Sequence, residues 1–343
     1  MRAFTSGRRG LLVTALPVFA LFTAGCGPAA DDGGGDDTVT IYSGREEDLV
    51  QPIIDRLEEE TGLQVEVRYG DTADLAAQLQ TEGDRSEGDV YLAQDAGSLG
   101  LLVQDGLLAE LPSDILDRVP EEYRADSGEW VGLSGRSRVI AYDPEEVDTP
   151  PDSVMDLTGD EWEGKVGIAP TNGSFQAFVT ALRVIEGDEA AQRWLQDLND
   201  NGVQSYENNR AMLDALDNGE IAVSLNNHYY WYERVKEQGE DAVGSELHYL
   251  PDGDAGALVN VSGAGVLAAS GNQEEAQQAL EFLLGEEAQE YFTQETSEYP
   301  LVEGVETMEE LPELSELQQP DIDLSDLHSL EESVEMIQEA GLA

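Results

Sequence analysis

The chain is poor in cysteine, histidine and basic side chains, and each shortage excludes a class of site. Its 343 residues include one cysteine, Cys26, and three histidines. A disulfide within the chain and a cluster of thiolate ligands are therefore excluded, and a zinc site built on several histidines is disfavoured. Lysine and arginine together number 17 against 73 aspartates and glutamates, for a net charge of −56. A surface of this charge repels nucleic acid and anionic lipid headgroups.

The acidic residues are spread along the whole chain instead of forming one block. This distribution is typical of a solvated surface suited to high salt, where repulsion between like charges is screened. Hydrophobic residues make up 40% of the sequence, which is enough for a packed interior. The length fits two domains of common size better than one.

The first 26 residues have the pattern of a secretion signal. Three arginines precede an apolar run from Leu11 to Phe22, and the run is followed by Thr-Ala-Gly-Cys ending at Cys26. Small residues before a cysteine resemble a bacterial lipobox, so we expect residues 1–26 to be a lipoprotein signal peptide and Cys26 to be acylated. An ordinary signal peptide with a chance cysteine remains open. The Gly/Asp-rich residues 27–37 predict a flexible tether.

After the tether, predicted strands and helices alternate. Residues 38–42 read as a strand and residues 49–57 as the apolar face of a helix. Further elements before residue 120 are strands at 63–68 and 89–93 and helices at 72–82, 96–105 and 113–119. The same pattern restarts at Lys165. Alternation of this kind favours an α/β fold with a parallel sheet. The sequence contains neither a phosphate-binding glycine loop nor a Gly-x-Ser-x-Gly elbow.

Several short motifs occur in an order typical of one protein family. They are Ser-Gly-Arg-Ser-Arg-Val at 134–139, Asn-Asn-His-Tyr-Tyr-Trp-Tyr at 226–232, Asp-Ala-Gly-Ala-Leu-Val at 254–259, Ser-Gly-Ala at 262–264, Glu-Tyr-Pro-Leu at 298–301 and Glu-Ala-Gly-Leu at 339–342. Together they resemble the bacterial periplasmic ferric-ion-binding proteins, the substrate-binding components of iron(III) ABC importers. The similarity runs from about residue 38 to the C-terminus.

The resemblance implies a type II periplasmic-binding-protein fold, with two α/β lobes joined by hinge strands and a ligand cleft between them. Lobe one would comprise residues 38–136 and 260–310, and lobe two residues 137–259 and 311–343. It also implies a monomer that is not an enzyme and that hands its ligand to the permease of an ABC importer. With Cys26 acylated, the protein would be lipid-anchored on the outer face of the cell membrane.

By the same resemblance, Tyr229 and Tyr230 correspond to the tyrosine pair that ligates iron in this family. Iron(III) prefers anionic oxygen, and a bound metal ion can displace the proton of a phenol. Neighbouring residues of a strand point to opposite faces, so we expect the pair in an irregular loop, which Asn226, Asn227 and His228 fit.

Two further ligand positions depart from the family pattern. Glu46 stands where the family often has histidine, and Gln94 stands where it often has glutamate. Carboxylate is a suitable hard donor for iron, whereas a neutral amide is a poor one. Asp95 or Glu47 would be alternative donors to Gln94. An acidic residue near a helix start also favours the helix dipole, so a purely structural role for Glu46 stays open.

Two tyrosines and one carboxylate leave the coordination of iron incomplete, so we expect a synergistic anion such as phosphate, carbonate or citrate. The start of a helix at Asn172, Gly173 and Ser174 is a suitable anion seat. Asn209 and Asn227 match positions that help to hold this anion, and Asp95 lies in the same predicted region. Phe175 replaces the further tyrosine of another subgroup. Arg136 and Arg138 match the crossover between lobes and would balance charge in the cleft.

Other functions remain open from the sequence alone. The same fold would also serve a ferric chelate, a polyamine or an oxyanion. A metal-dependent hydrolase would need an activated nucleophile or a histidine-rich metal motif, neither of which the sequence contains. An acidic surface protein without a ligand is the last alternative.

Overall fold

A computed structural model describes residues 38–343. The predicted signal peptide, Cys26 and the tether lie outside these residues. The strands are β1 Thr38–Ser43, β2 Gln64–Tyr69, β3 Val90–Ala93, β4 Val131–Tyr142, β5 Val166–Ile168, β6 Gln204–Ser205, β7 Val223–Asn227, β8 Glu246–His248, β9 Val259–Val266 and β10 Tyr299–Pro300. The helices are α1 Glu47–Thr61, α2 Thr72–Glu82, α3 Ala96–Gln104, α4 Ser113–Leu116, α5 Gly173–Glu186, α6 Asp188–Asp200, α7 Asn209–Asp217, α8 Tyr229–Gln238, α9 Gln273–Leu283, α10 Glu286–Gln294 and α11 Leu330–Glu339.

The local sequence explains where many of these elements begin and end. In α1 the buried side chains recur at three- and four-residue spacing, from Leu49 to Leu57, which is the pattern of a helix with one face on a core. The helix stops at Gly62, whose φ of 76° is the left-handed conformation that glycine adopts most readily. Pro52 lies inside this helix, which begins at Glu47.

One group of strands, which we call the first strand group, contains β2, β1, β3, β9, β10 and the first half of β4. The strands β2, β1 and β3 are parallel neighbours, as the strand–helix alternation predicted. The strand β9 runs antiparallel to β3, and β4 runs antiparallel to β9 through Ser137.

The remaining strands form the second strand group, which contains β5, β6, β7, β8 and the second half of β4. From Arg138 onward, β4 pairs antiparallel with β7, and from Ile140 with β8. The strands β7, β5 and β6 are parallel neighbours. Because β4 changes partners between Ser137 and Arg138, one continuous strand joins both groups. The α/β class is thus confirmed, with antiparallel strands added to the parallel ones.

Buried side chains form two hydrophobic clusters. The larger one contains the apolar faces of β1, β3, α1 and α9 together with Trp130, which is fully buried. The other contains Trp162 and Trp194 and packs between α5, α6 and the second strand group. These three tryptophans are therefore core residues.

The C-terminal part of the chain contacts elements of both strand groups. Residues 324–328 pack on α3, where a β-carbon at Gly97 would lie only 2.4 Å from the carbonyl oxygen of Leu327. The next element, α11, packs on α5 and α6. Within the acidic stretch 303–339, only the last part, α11, is an α-helix. Within residues 38–343, no helix combines the length and hydrophobicity that a membrane span requires.

Candidate metal centre

A cavity of about 790 Å³ opens at the carboxyl ends of β1, β3 and β5. Ligands of open α/β sheets bind at this edge. The predicted site residues that line the cavity are Glu46, Gln94, Asp95, Asn172 and Gly173. The structure therefore brings together side chains from three separate parts of the sequence.

Tyr229 and Tyr230 follow the end of β7 and are the first two residues of α8. The expected irregular loop is therefore wrong, because a helix begins where the loop was predicted. Successive side chains of a helix diverge by about 100°, which is less than the 180° of a strand. The two rings accordingly lie side by side, with centroids 4.1 Å apart and planes inclined by 32°.

Both phenols are buried, with 1% of Tyr229 and 2% of Tyr230 exposed. Burial raises the pKa of Tyr229 to about 12, although Arg45 and Arg136 act in the opposite direction. Burial also raises the pKa of Tyr230 well above its ordinary value, and Tyr229 and Glu46 add to that rise. Both side chains are therefore neutral phenols at pH 7, and only a strong cation would release their protons.

The residue before the pair, His228, ties α8 to the first strand group. Its Nδ1 accepts a hydrogen bond from the backbone N–H of Ser137 at 3.1 Å, and its Nε2 lies 2.8 Å from the carbonyl oxygen of Ser297. A neutral ring with its hydrogen on Nε2 satisfies both contacts. Burial lowers the pKa of His228 to about 4, so the ring is neutral at pH 7. His228 thus positions the start of α8 from two sides.

A buried ion pair lies beside the tyrosines. Arg45 donates from Nη1 and Nη2 to the two carboxylate oxygens of Glu298, at 2.9 and 3.0 Å. Thr296 donates a further hydrogen bond to Glu298 at 2.9 Å, and Arg136 Nε lies 4.0 Å from the same carboxylate. Despite its burial, the pKa of Glu298 is lowered, chiefly by Arg45. The pair therefore keeps a fixed positive group next to Tyr229.

Glu46 lies at the cavity and is held by an arginine. Arg210 Nη1 donates to its Oε2 at 2.8 Å, and the same guanidinium stacks on the ring of Tyr230 at 5.1 Å. Glu46 and Tyr230 are thus neighbours of a common cation. Glu47 also lines the cavity.

Gln94 and Asp95 follow β3 and occupy different environments. The backbone oxygen of Gln94 accepts a hydrogen bond from Arg136. Asp95 caps α3, because its Oδ1 accepts a hydrogen bond from the backbone N–H of Ser98 at 3.0 Å. Its Oδ2 is buried, has no hydrogen-bond partner among the described residues, and lies 3.8 Å from where a β-carbon on Gly173 would be. Asp95 therefore points a free acceptor at the start of α5.

The start of α5 is connected to the end of β7. Asn172 caps this helix by accepting from the backbone N–H of Ser174 at 3.1 Å. Arg138 Nη1 donates both to the carbonyl oxygen of Ser174 at 3.3 Å and to Oδ1 of Asn227 at 3.2 Å. Asn209 Oδ1 in turn accepts from the backbone N–H of Asn227 at 3.0 Å. The side-chain Nδ2 of Asn227 is a buried donor without a partner among the described residues.

Arg138 and Arg136 are both buried at the strand crossover. Arg138 packs over the rings of Phe175 and Phe178, at 5.7 and 5.1 Å. Burial and the neighbouring Arg136 lower the pKa of Arg138 to about 9, so it remains charged at pH 7. Phe175 is a core residue beneath this cation and offers no oxygen ligand.

Metal ligands of the usual acidic, histidine or cysteine type do not converge here. Within residues 38–343, no three such side chains are grouped closely enough to hold a metal ion. The candidate set is the buried pair Tyr229 and Tyr230 with Glu46 next to it.

A family model described as bacterial extracellular solute-binding protein matches residues 88–325. The chain belongs to this family. It is 33% identical over 311 residues to the major ferric iron-binding protein of Neisseria meningitidis serogroup B, which covers 89% of this chain and 93% of that protein.

Two solved structures resemble this solute-binding protein closely. Iron-bound HitA from Pseudomonas aeruginosa matches with a TM-score of 0.84 and 38% identity, over 89% of this chain and 99% of that one. The Trichodesmium protein IdiA (FutA), solved with iron and citrate, matches with a TM-score of 0.76 and 28% identity, over 89% of this chain and 100% of that one. The two-lobe type II binding-protein fold is therefore confirmed. The family and these relatives are binding proteins, which rules against the hydrolase alternative.

Three residues of this solute-binding protein's site were not singled out from the sequence. Arg45 and Glu298 are 253 positions apart, and only the fold pairs them. Arg210 lies on α7 among residues with no motif of their own. The sequence did contain a signal for Glu298, which opens the Glu-Tyr-Pro-Leu motif, but its partner was not deducible.

Proposed function

We propose that this protein captures ferric iron between its two lobes and delivers it to the permease of an ABC importer. The observation that carries the proposal is the buried, side-by-side pair Tyr229 and Tyr230 at the end of β7. The ferric iron-binding protein of N. meningitidis and the iron-bound HitA structure support the same ligand.

Iron(III) has the charge needed to displace the two phenolic protons that burial holds in place. The resulting tyrosinates provide two hard oxygen ligands, and the carboxylate of Glu46, which shares Arg210 as a neighbour with Tyr230, provides a third. Gln94 is the weakest member of the predicted set, because its side chain offers only a neutral oxygen.

A synergistic anion completes the site. The start of α5 at Asn172, Gly173 and Ser174 seats it, with Asn209 and Asn227 beside it. The free donor Nδ2 of Asn227 suits an anion oxygen, and the free acceptor Oδ2 of Asp95 suits an oxygen that carries a proton. Phosphate and carbonate in their protonated forms, and citrate through its hydroxyl, all fit this donor and acceptor set. The citrate in the Trichodesmium structure supports the last of them.

The lobes are residues 38–136 with 260–310 and residues 137–259 with 311–343. The change of partners in β4 between Ser137 and Arg138 supports the first boundary. Since both phenols are buried, iron reaches them only when these lobes separate. The closed protein is a monomer whose two lobe surfaces face the permease, and acylated Cys26 anchors it outside the cell membrane through the tether 27–37.

The test uses the chain from residue 38 onward, stripped of metal and mixed with ferric iron and phosphate, carbonate or citrate. A tyrosinate-to-iron charge-transfer band in the visible spectrum is expected at one equivalent of iron. The double variant Tyr229→Phe/Tyr230→Phe should lose the band. Tyr206→Phe is the matched control, because Tyr206 hydrogen-bonds Gln204 outside the cavity.

Loss of the band in the double variant alone supports the tyrosine ligands. A band that survives in the double variant places the iron elsewhere. No band in the unaltered protein with any of the three anions rejects ferric capture by this site.

A further inference from the structure

Arg210 has an unusual set of neighbours for one arginine in so acidic a chain. Its guanidinium pairs with Glu46 at 2.8 Å, with Glu233 at 3.1 Å and with Asp48 at 3.6 Å. It also stacks on Tyr230 at 5.1 Å. One side chain thus contacts three carboxylates and the ring of Tyr230. Of these neighbours, Glu46 and Tyr230 belong to the proposed iron site.

The backbone of Arg210 is fixed to the tyrosine-bearing helix. Arg234 on α8 donates to the carbonyl oxygen of Arg210 at 3.4 Å, and it also pairs with Asp214 and Asp217 on α7. The helices α7 and α8 flank β7 of the second strand group. Arg210 therefore lies on a helix that α8 holds in place.

The carboxylates it reaches belong to both sides of the cleft. Glu233 lies on α8, beside β7. Glu46 and Asp48 lie at the start of α1, directly after β1 of the first strand group. The pairs of Arg210 with Glu46 and Asp48 consequently cross from the second strand group to the first.

We propose that Arg210 is a latch that holds the cleft closed and positions Tyr230. Opening must break its pairs with Glu46 and Asp48, whereas its pair with Glu233 and its contact with Tyr230 can persist within one lobe. The latch is electrostatic and its side chain is 43% exposed, so salt weakens it. Its role in iron release rests on the proposed function, but its role in closure does not.

The first experiment measures the radius of gyration of the metal-free protein by small-angle X-ray scattering. Arg210→Gln removes the charge while keeping a polar side chain. Arg193→Gln is the matched control, because Arg193 pairs with Glu189 on its own helix α6. Arg210→Gln should give a larger radius than either the unaltered protein or the control, and about 1 M KCl should reduce the difference.

A second comparison isolates the pair that crosses the cleft. Glu46→Gln should also enlarge the metal-free protein, and the double variant with Arg210→Gln should add little to either single change. Arg210→Lys keeps the charge but loses the planar fork, so it should restore part of the closure. A radius in Arg210→Gln equal to that of Arg193→Gln, or fully additive changes in the double variant, would overturn the latch.

A third experiment measures the rate at which iron passes from the protein to an excess of a strong chelator. Loss of the two exposed pairs that cross the cleft, with Glu46 and Asp48, predicts a release rate about twofold to thirtyfold higher in Arg210→Gln. The charge-transfer maximum should also shift, because Arg210 no longer stacks on Tyr230. An unchanged release rate and maximum reject the positioning role. Because scattering needs no iron, failure of the latch is distinguishable from failure of ferric binding.

Discussion

The buried pair of Arg45 and Glu298 allows a quantitative test of how much stability is lost when a buried charge has no partner. Arg45 is 4% exposed and Glu298 is fully buried, and they share two hydrogen bonds at 2.9 and 3.0 Å. Glu298→Gln removes the negative charge and leaves Arg45 buried without a charged partner. Arg136, with its Nε 4.0 Å from this carboxylate, loses the same neutralising charge.

Breaking a buried pair by removing one partner costs about 3–5 kcal/mol. That is a large share of a total stability of about 5–15 kcal/mol. The matched control is Glu295→Gln, since Glu295 pairs with Lys236 at 2.8 Å with both side chains about half exposed. Loss of this exposed pair should lower the free energy of unfolding by less than about 1 kcal/mol.

Urea unfolding at constant high salt, followed by tryptophan fluorescence, measures the difference. The midpoint of Glu298→Gln should fall well below that of Glu295→Gln with a similar slope. Replacing both partners, as Arg45→Met/Glu298→Leu, should recover part of the loss, because Arg45 is then no longer an unpaired buried charge, whereas Arg136 still lacks the carboxylate. Equal midpoints for Glu298→Gln and Glu295→Gln would refute the reasoning.

Two further predictions concern pH and salt. The pKa of His228 is about 4 in the folded protein, below its ordinary value of about 6.5, so the unfolded chain binds the extra proton first. Stability should therefore fall by about 2–3 kcal/mol as pH drops from about 6.5 to 4. His228→Asn should reduce that fall in urea unfolding at each pH, and an identical pH profile would contradict the assignment. The net charge of −56 predicts that the thermal midpoint rises between about 0.1 and 1 M KCl, where the screening length shortens from about 10 to 3 Å. A thermal midpoint that stays constant or falls as KCl is raised would contradict this screening effect. The same series in NaCl controls for ion-specific binding.

The elements were largely predictable because their signals are local. The helix α2 was expected at 72–82 and occurs at Thr72–Glu82. The rings of Tyr229 and Tyr230 lie side by side, but the predicted irregular loop at this point was wrong, because α8 begins at Tyr229. Neighbouring asparagines suggested irregular backbone, whereas Asn226 and Asn227 complete a strand through long-range pairing with β4. Tertiary hydrogen bonds overrode the local preference at that point.

The sequence by itself determined the class of fold and the family, because periodicity and ordered motifs are carried by residues close together in the chain. It also marked Tyr229 and Tyr230 as the candidate pair. The tertiary structure alone decided what surrounds that pair. Arg45 meets Glu298 across 253 positions, and Arg210 meets Glu46 across 164. Such contacts depend on how β4 joins the two strand groups, and no local pattern records them. The burial that keeps both phenols neutral likewise exists only once the chain has packed.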